Sequence, residues 1–275
     1  MKDNKKHKKA EYGILITGLI ILLAATFVTA LCAGQYSVSV PEVTKILASR
    51  FVNVTKTWSN TAEGVVFTLR LPRIIGAVLV GSALSLSGAA YQGVFKNPLV
   101  APDLLGVSSG ACVGASVAIL LHLNSFGVQA MAFVAGILAV GLTLFIPRLI
   151  KNTNMTMLVL SGIIVKGIMD SVMGIIKYVA DPETELQSIT YWQLGSLTKV
   201  LPKDLFTVGP VIVAASVIIF LLRWRINILS LGDREAKTLG VSVTVVRNFI
   251  IICATLLTAS AVCISGTIGW IGLVI

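Results

Sequence analysis

LRLPRIIGAVLVGSALSLSGAAYQGVFKNPLVAPDLLGVSSGA, residues 69–111, is the stretch on which the reading of the whole chain turns. It opens with two arginines around a proline, Arg70-Leu71-Pro72-Arg73, and continues as an apolar run from Ile74 to Phe95, long enough to cross a bilayer as a helix. Within that run Ala77, Gly81, Ser85, Ala89 and Gly93 recur at every fourth position. Helical geometry puts them on one face, where a neighbouring backbone can approach closely. Lys96-Asn97-Pro98-Leu99 ends the run, and Pro98 and Pro102 keep the following residues out of a regular helix. Gly106-Val107-Ser108-Ser109-Gly110-Ala111 then starts another apolar segment, with serines placed to cap it. Taken piece by piece, this is a packed span followed by a Pro/Gly turn.

Composition points to the same class. Hydrophobic residues make up 56% of the chain and charged residues 12%, with a mean hydropathy of +0.91, whereas a soluble domain carries about 25% charged residues. The net charge of +10 does not mark a nucleic-acid binder, because the lysines and arginines lie mostly between apolar runs, where membrane topology places them. Cys32, Cys112, Cys253 and Cys263 sit in or beside apolar runs without a C-x-x-C pair and read as small buried hydrophobes.

Residues 1–12 form a basic tail with Lys2, Lys5, Lys6, Lys8 and Lys9 ahead of an apolar run from Gly13 to Ala33. That run is too long for the apolar region of a signal peptide and reads as a retained first span. Gly34 to Leu69 is a polar loop, with a short surface helix expected around Pro41–Leu47. Beyond the span at 74–95, further spans are expected at 107–122, 128–147, 155–180, 205–222 and 243–264, and an eighth starts near Gly266. With the N-terminus inside, the inner segments hold the tail lysines, Lys96, Arg148, Lys151, Arg223, Arg225, Arg234 and Lys237. The outer loops hold Lys45, Arg50, Lys56, Arg70, Arg73, Lys199 and Lys203, fewer, so the basic bias favours N-inside.

Lys166 and Asp170 lie four residues apart in the span at 155–180, a spacing that lets them pair. Ionisable groups at membrane depth face a partner or a watery cavity, so two readings stand: a neutralised structural pair, or a pore lining. Leu229 to Val241 reads as a solvated connecting helix, with Asp233 and Glu235 at its N-terminal end, Lys237 near its C-terminus and Gly240 as a stop. No G-x-x-x-x-G-K-[ST] loop occurs, so any ATP is hydrolysed elsewhere. His7 and His122 lack metal-ligand spacing, and no nucleophile–base pair stands out. No metal site or catalytic residue is expected, which weighs against an intramembrane enzyme; that and a non-transporting scaffold are the readings from other classes.

The order of these parts resembles the FecCD-like family, permease subunits of ABC importers for iron-siderophores, haem and cobalamin. That family carries R-L-P-R, a small-residue span, and Q-x-x-x-x-N-P-L-A-x-P-x-x-L-G-x-x-x-G-A. Here Arg70-Leu71-Pro72-Arg73, Gln92, Asn97-Pro98-Leu99, Pro102, Leu105-Gly106 and Gly110-Ala111 stand in that order, with Val100 in place of the usual Ala. Leu231, Gly232, Ala236, Leu239, Gly240 and Val241 match the family's L-G-x-x-x-A-x-x-L-G-V coupling helix, which docks on the ATPase. Ser265 to Ile275 resembles the family's G-x-I-x-F-[VI]-G-L pattern, with Trp270 where Phe is common. The family runs on from there, so the chain is read as C-terminally truncated.

The resemblance implies an all-α, polytopic membrane protein of the type II ABC importer permease (BtuC-like) fold, with residues 13–275 as the permease domain and about seven to eight of the family's usual ten spans. It implies a transport subunit that binds no cofactor itself, ATP and Mg being held by a partner ATPase. The implied partners are a second permease subunit, a cytoplasmic ATPase dimer and an extracytoplasmic binding protein, in the lipid of a bacterial or archaeal cytoplasmic membrane. The cargo implied is an iron-siderophore, or else haem, cobalamin or molybdate. The resemblance also gives roles: Arg70 and Arg73 dock the binding protein; Asn97, Leu99 and Thr156 form the cytoplasmic gate; and Leu231, Gly232, Asp233, Glu235, Ala236, Leu239 and Gly240 belong to the coupling helix, whose short-residue face around Ala236 meets the ATPase. It transfers no role to Lys166 or Asp170.

Overall fold

The computed structural model of the chain describes residues 2–152 and 154–269, which fall into two compact units, 1–75 and 76–275. In the first unit, helix α1 (Lys2–Cys32) is apolar on all sides from Glu11 onward. Only 6% of its most apolar window is buried, which suits a helix surrounded by lipid. Helix α2 (Val40–Ala48) starts with Pro41 in its first turn and buries Val43 and Ile46, three residues apart on one face. Helix α3 (Asn60–Gly64) is capped by Ser59, whose hydroxyl accepts from the Ala62 N–H at 3.0 Å. Leu31, Val38, Val43, Ile46, Trp58, Ala62 and Val66 make a small core of their own.

Without a break, α3 leads through a π-helical turn, Val65–Arg70, into helix α4 (Leu71–Phe95). The continuous helix from Asn60 to Phe95 therefore begins well before the span expected at Ile74. Pro72 would normally clash with the carbonyl four residues earlier and end a helix. Here the wider turn just before it, with the Leu71 N–H bonded to the Val66 carbonyl, gives the ring room.

In the second unit a 3-10 turn, Pro102–Leu105, precedes helix α5 (Val107–Leu120). Helices α6 (Ser125–Leu149) and α7 (Met155–Val179) start on Asn124 and Asn154, whose side chains accept from Gly127 N at 2.9 Å and Met157 N at 2.8 Å. Then come α8 (Glu185–Gln193), α9 (Pro202–Leu221), α10 (Arg223–Leu231), α11 (Asp233–Thr238) and α12 (Val243–Ser265). Among the described residues, six helices are long and apolar enough to cross a membrane. The segment expected to span at 107–122 is a helix of 14 residues, about 21 Å against a hydrocarbon core of about 30 Å. The eighth segment expected from Gly266 shows no helix up to residue 269, and 270–275, with Trp270, lie outside the described residues.

Lipid tails are as apolar as leucine, so helices in a bilayer associate through close packing rather than through hydrophobic transfer. The closest packing lies between α5 and α6. A Cβ placed on Gly110 would fall 2.5 Å from Ala139 Cβ, and one on Gly114 2.3 Å from the Met131 carbonyl oxygen. Of the stripe expected to pack, Ala77, Gly81, Ser85, Ala89 and Gly93, the last meets a neighbour closely: a Cβ there would fall 2.5 Å from Ile226. Ala77 and Ala89 are exposed, and nothing lies within 4 Å of a Cβ at Gly81. The face α4 buries in the second unit is Val80, Ala83, Leu84, Ala90, Tyr91 and Val94. These residues interlock by bulk, which a search for small residues passes over. At the centre stands α12, with 78% of its apolar window buried and the Thr255 hydroxyl 3.0 Å from that of Tyr91.

Candidate functional site

The end of α4 is locked by its own sequence. Lys96 takes a left-handed backbone (φ +53°), and the Asn97 side chain accepts from the Leu99 N–H at 2.9 Å, an Asx turn closed over Pro98. Val100, Pro102 and Leu105 are buried and anchor the 3-10 turn beyond it. Leu99 is thus presented, 76% exposed, on a stiff support. Across from it, Asn154 starts α7 and sets Thr156 in the first turn, exposed. An open cavity of about 310 Å³ is lined by Asn97, Leu99 and Thr156 together with Phe95, Val100 and Met155. The three residues expected at a gate therefore share one cavity.

The 3-10 turn lies against α7 because Gly162 has no side chain. A Cβ there would fall 2.5 Å from the Leu104 carbonyl oxygen. This places Asp103, not Asp170, beside Lys166, with Nζ 2.7 Å from the Asp103 Oδ2. The expected Lys166–Asp170 pair is corrected accordingly. Four-residue spacing allowed that pair, but a carboxylate brought by tertiary packing took its place. Asp103 also accepts from the Ser108 N–H at 3.2 Å, at the start of α5. Asp170 is exposed and lines a cavity of about 260 Å³ with Asp103, Ser108 and Ser109.

The segment from Leu231 to Gly240 turns sharply at Gly232 (φ +144°) into α11. Gly240 (φ +76°) ends that helix, its N–H bonded to the Lys237 carbonyl and Val241 N–H to that of Ala236, both at 3.0 Å. Ala236 is fully buried in the chain's own core, so the expectation that its short-residue face meets a partner is corrected. The outward face carries Leu231 and Leu239, 67% and 60% exposed, with Glu235 and Lys237 between them. Asp233 faces back into the chain. Its carboxylate accepts from Lys96 Nζ at 2.8 Å and from Arg247 Nη2 at 2.7 and 2.8 Å. Those two cations, Lys96 first, hold its pKa below the usual carboxylate range.

Of the two arginines expected to dock a binding protein, Arg70 is already engaged. It donates to the carbonyls of Leu31 (2.6 Å), Cys32 (3.2 Å) and Tyr36, closing the C-terminal end of α1. Arg73 is exposed. Neither Asp103 nor Arg247 stood out in the sequence. Asp103 was within reach, since it stands inside the Pro102–Gly106 motif; Arg247 left no local signal. Among the described residues, no group of three or more His, Cys, Asp or Glu side chains converges as a metal site.

Comparison with known proteins brings a single group to this geometry. The family model described as the FecCD transport family matches residues 21–275. The molybdate import system permease protein MolB of Haemophilus influenzae is 36% identical over 96% of this chain and 78% of its own length. A probable iron chelatin transport system permease protein of Helicobacter pylori is 41% identical over 77% of this chain and 64% of its own. A solved structure described as "an inward-facing conformation of a putative metal-chelate type ABC transporter" superposes with a TM-score of 0.84 at 33% identity, covering 96% of this chain and 79% of that one.

Proposed function

This chain belongs to the FecCD transport family, and from that premise we propose that it forms the wall and inner gate of a path for a chelated metal, closed by Asn97 and Leu99 against Thr156. It is an ABC importer permease, a multi-pass membrane transport component rather than an enzyme. The observation carrying the gate is the shared cavity at the end of α4, where a proline-stiffened turn faces the first turn of α7. A rigid turn can be displaced as a unit, which is what a two-position gate needs.

The cargo we favour is an iron-siderophore or similar metal chelate delivered by an extracytoplasmic binding protein; haem, cobalamin and molybdate are the alternatives, all represented among the relatives. The working assembly pairs this chain with a second permease subunit and with an ATPase dimer that holds the ATP and Mg, the N-terminal tail lying on the ATPase side. Leu231 and Leu239 supply the apolar contact to that ATPase, and Arg73 the cation for the binding protein. Uptake of radiolabelled ferric chelate, haem, cobalamin and molybdate in a permease-deleted strain carrying this gene tests the cargo. Accumulation of the ferric chelate alone is the expected result, and accumulation of molybdate alone would overturn it.

A further inference from the structure

Three groups from distant parts of the chain meet at Asp233. Lys96 follows the last residue of α4 and precedes the Asn97–Leu99 turn. Arg247 stands in the first turns of α12. Asp233 opens α11 and accepts from both, at 2.7 to 2.8 Å. Arg247 is the constrained member: its side chain is 8% exposed, and its Nε is buried without an acceptor. The Asp233 carboxylate is the only one in ion-pair range of Arg247 among the described residues. Moving Asp233 away would leave a buried guanidinium uncompensated, which is far less favourable than moving the partners together. Lys96 is softer, part-exposed, and holds the same carboxylate through Oδ1.

We propose that Asp233 is the joint through which displacement of α11 reaches the gate, with Arg247 fixing it to α12 and Lys96 drawing the Asn97–Leu99 turn after it. This deepens the reading of α11 as the ATPase-docking helix and rests on it. Asp233 and Lys96 act here as positioning residues, through the Asn97–Leu99 turn. The left-handed backbone of Lys96 gives the arm a fixed direction, since the next three residues are held by the Asx turn and Pro98.

The test uses the complex with its ATPase in liposomes and reads the gate rather than the unidentified cargo. Leu99→Cys is labelled with a water-soluble maleimide, with and without vanadate-trapped nucleotide, against the parent carrying only the native cysteines. The labelling rate is expected to differ between the two states by about tenfold, a usual size for a coupling between sites. Lys96→Met and Arg247→Met should each collapse that difference to roughly twofold or less while ATP hydrolysis continues. The double variant should be no worse than the worse single one, and Lys96→Arg should restore the difference. Methionine keeps a Cβ at the left-handed position, so the backbone is equally strained in variant and parent.

A difference that survives in Lys96→Met overturns the joint while leaving docking and gate intact. Leu239→Glu reads docking separately: retention of the ATPase in that variant refutes the docking helix and the joint with it. A parent rate that is the same in both states refutes the gate at Leu99, and again the joint. If Arg247→Met does not accumulate, Lys96→Met with its arginine control decides alone, because Lys96 is part-exposed and buries no charge.

Discussion

Asp233 balances two cations with one carboxylate, and its acidity is set by them. A carboxyl whose folded pKa is lowered contributes stability that is complete above its unfolded value and is lost as pH falls through the folded one. For Asp233 that places the loss below the ordinary value of 3.8. The ratio of Leu99→Cys labelling rates with and without trapped nucleotide, in which the thiolate fraction common to both states cancels, is therefore expected to be flat between about pH 5 and 8; a midpoint in that ratio inside the window would mean that another group carries the joint. The two arginines flanking Pro72 separate in the same way, by what each already holds. Arg70→Ala, which strips three carbonyls of their donor, should destabilise the chain by roughly 2 kcal/mol in a thermal melt. Arg73→Glu should leave the melt unchanged and weaken binding-protein association about tenfold at low salt, with a shallower salt dependence. The R-L-P-R motif was legible in the sequence, but the division of labour within it was not, because the α1 carbonyls that claim Arg70 lie more than thirty residues upstream.

Among the elements, α11 shows how far a motif reaches. Its limits were written in Gly232 and Gly240, both of which take left-handed backbones. Its orientation was not: helical spacing brings Ala236 and Leu239, three residues apart, towards one face, yet Ala236 is buried and Leu239, at the cap, is exposed, a division that packing alone decides. Leu239→Glu should abolish co-purification of the ATPase subunit, while Glu235→Gln should weaken it by less than about threefold, as an exposed charge does. Helices α5 and α6 teach the complementary lesson. Gly110 and Gly114 lay in plain view at the same four-residue spacing as the stripe in α4, and it is there that α5 and α6 meet. Gly114→Val should lower the melting temperature in detergent by an amount matching about 1–3 kcal/mol, whereas Gly81→Val, with open space around it, should not.

At the scale of the molecule, hydropathy found the six long spans of the described residues, because a helix satisfies its backbone within its own segment and needs a long apolar run to cross; it also marked 107–122, whose helix has only 14 residues. What hydropathy could not rank was their depth. Helix α1 and helix α12 are both strongly apolar, yet 6% of one window and 78% of the other is buried. Small polar residues do not rank them either: Thr17, Thr26 and Thr29 in α1 are exposed, while Thr255, Thr258, Ser260 and Ser265 in α12 are buried. That central position has a consequence for biogenesis. The segment that fills the middle leaves the ribosome after α4, α5, α6 and α9 have already entered the bilayer, so the newborn bundle is hollow until its keystone arrives. A chain stopped before Val243 is therefore expected to be degraded faster in the membrane than one that includes α12, which a pulse-chase comparison of the two checks.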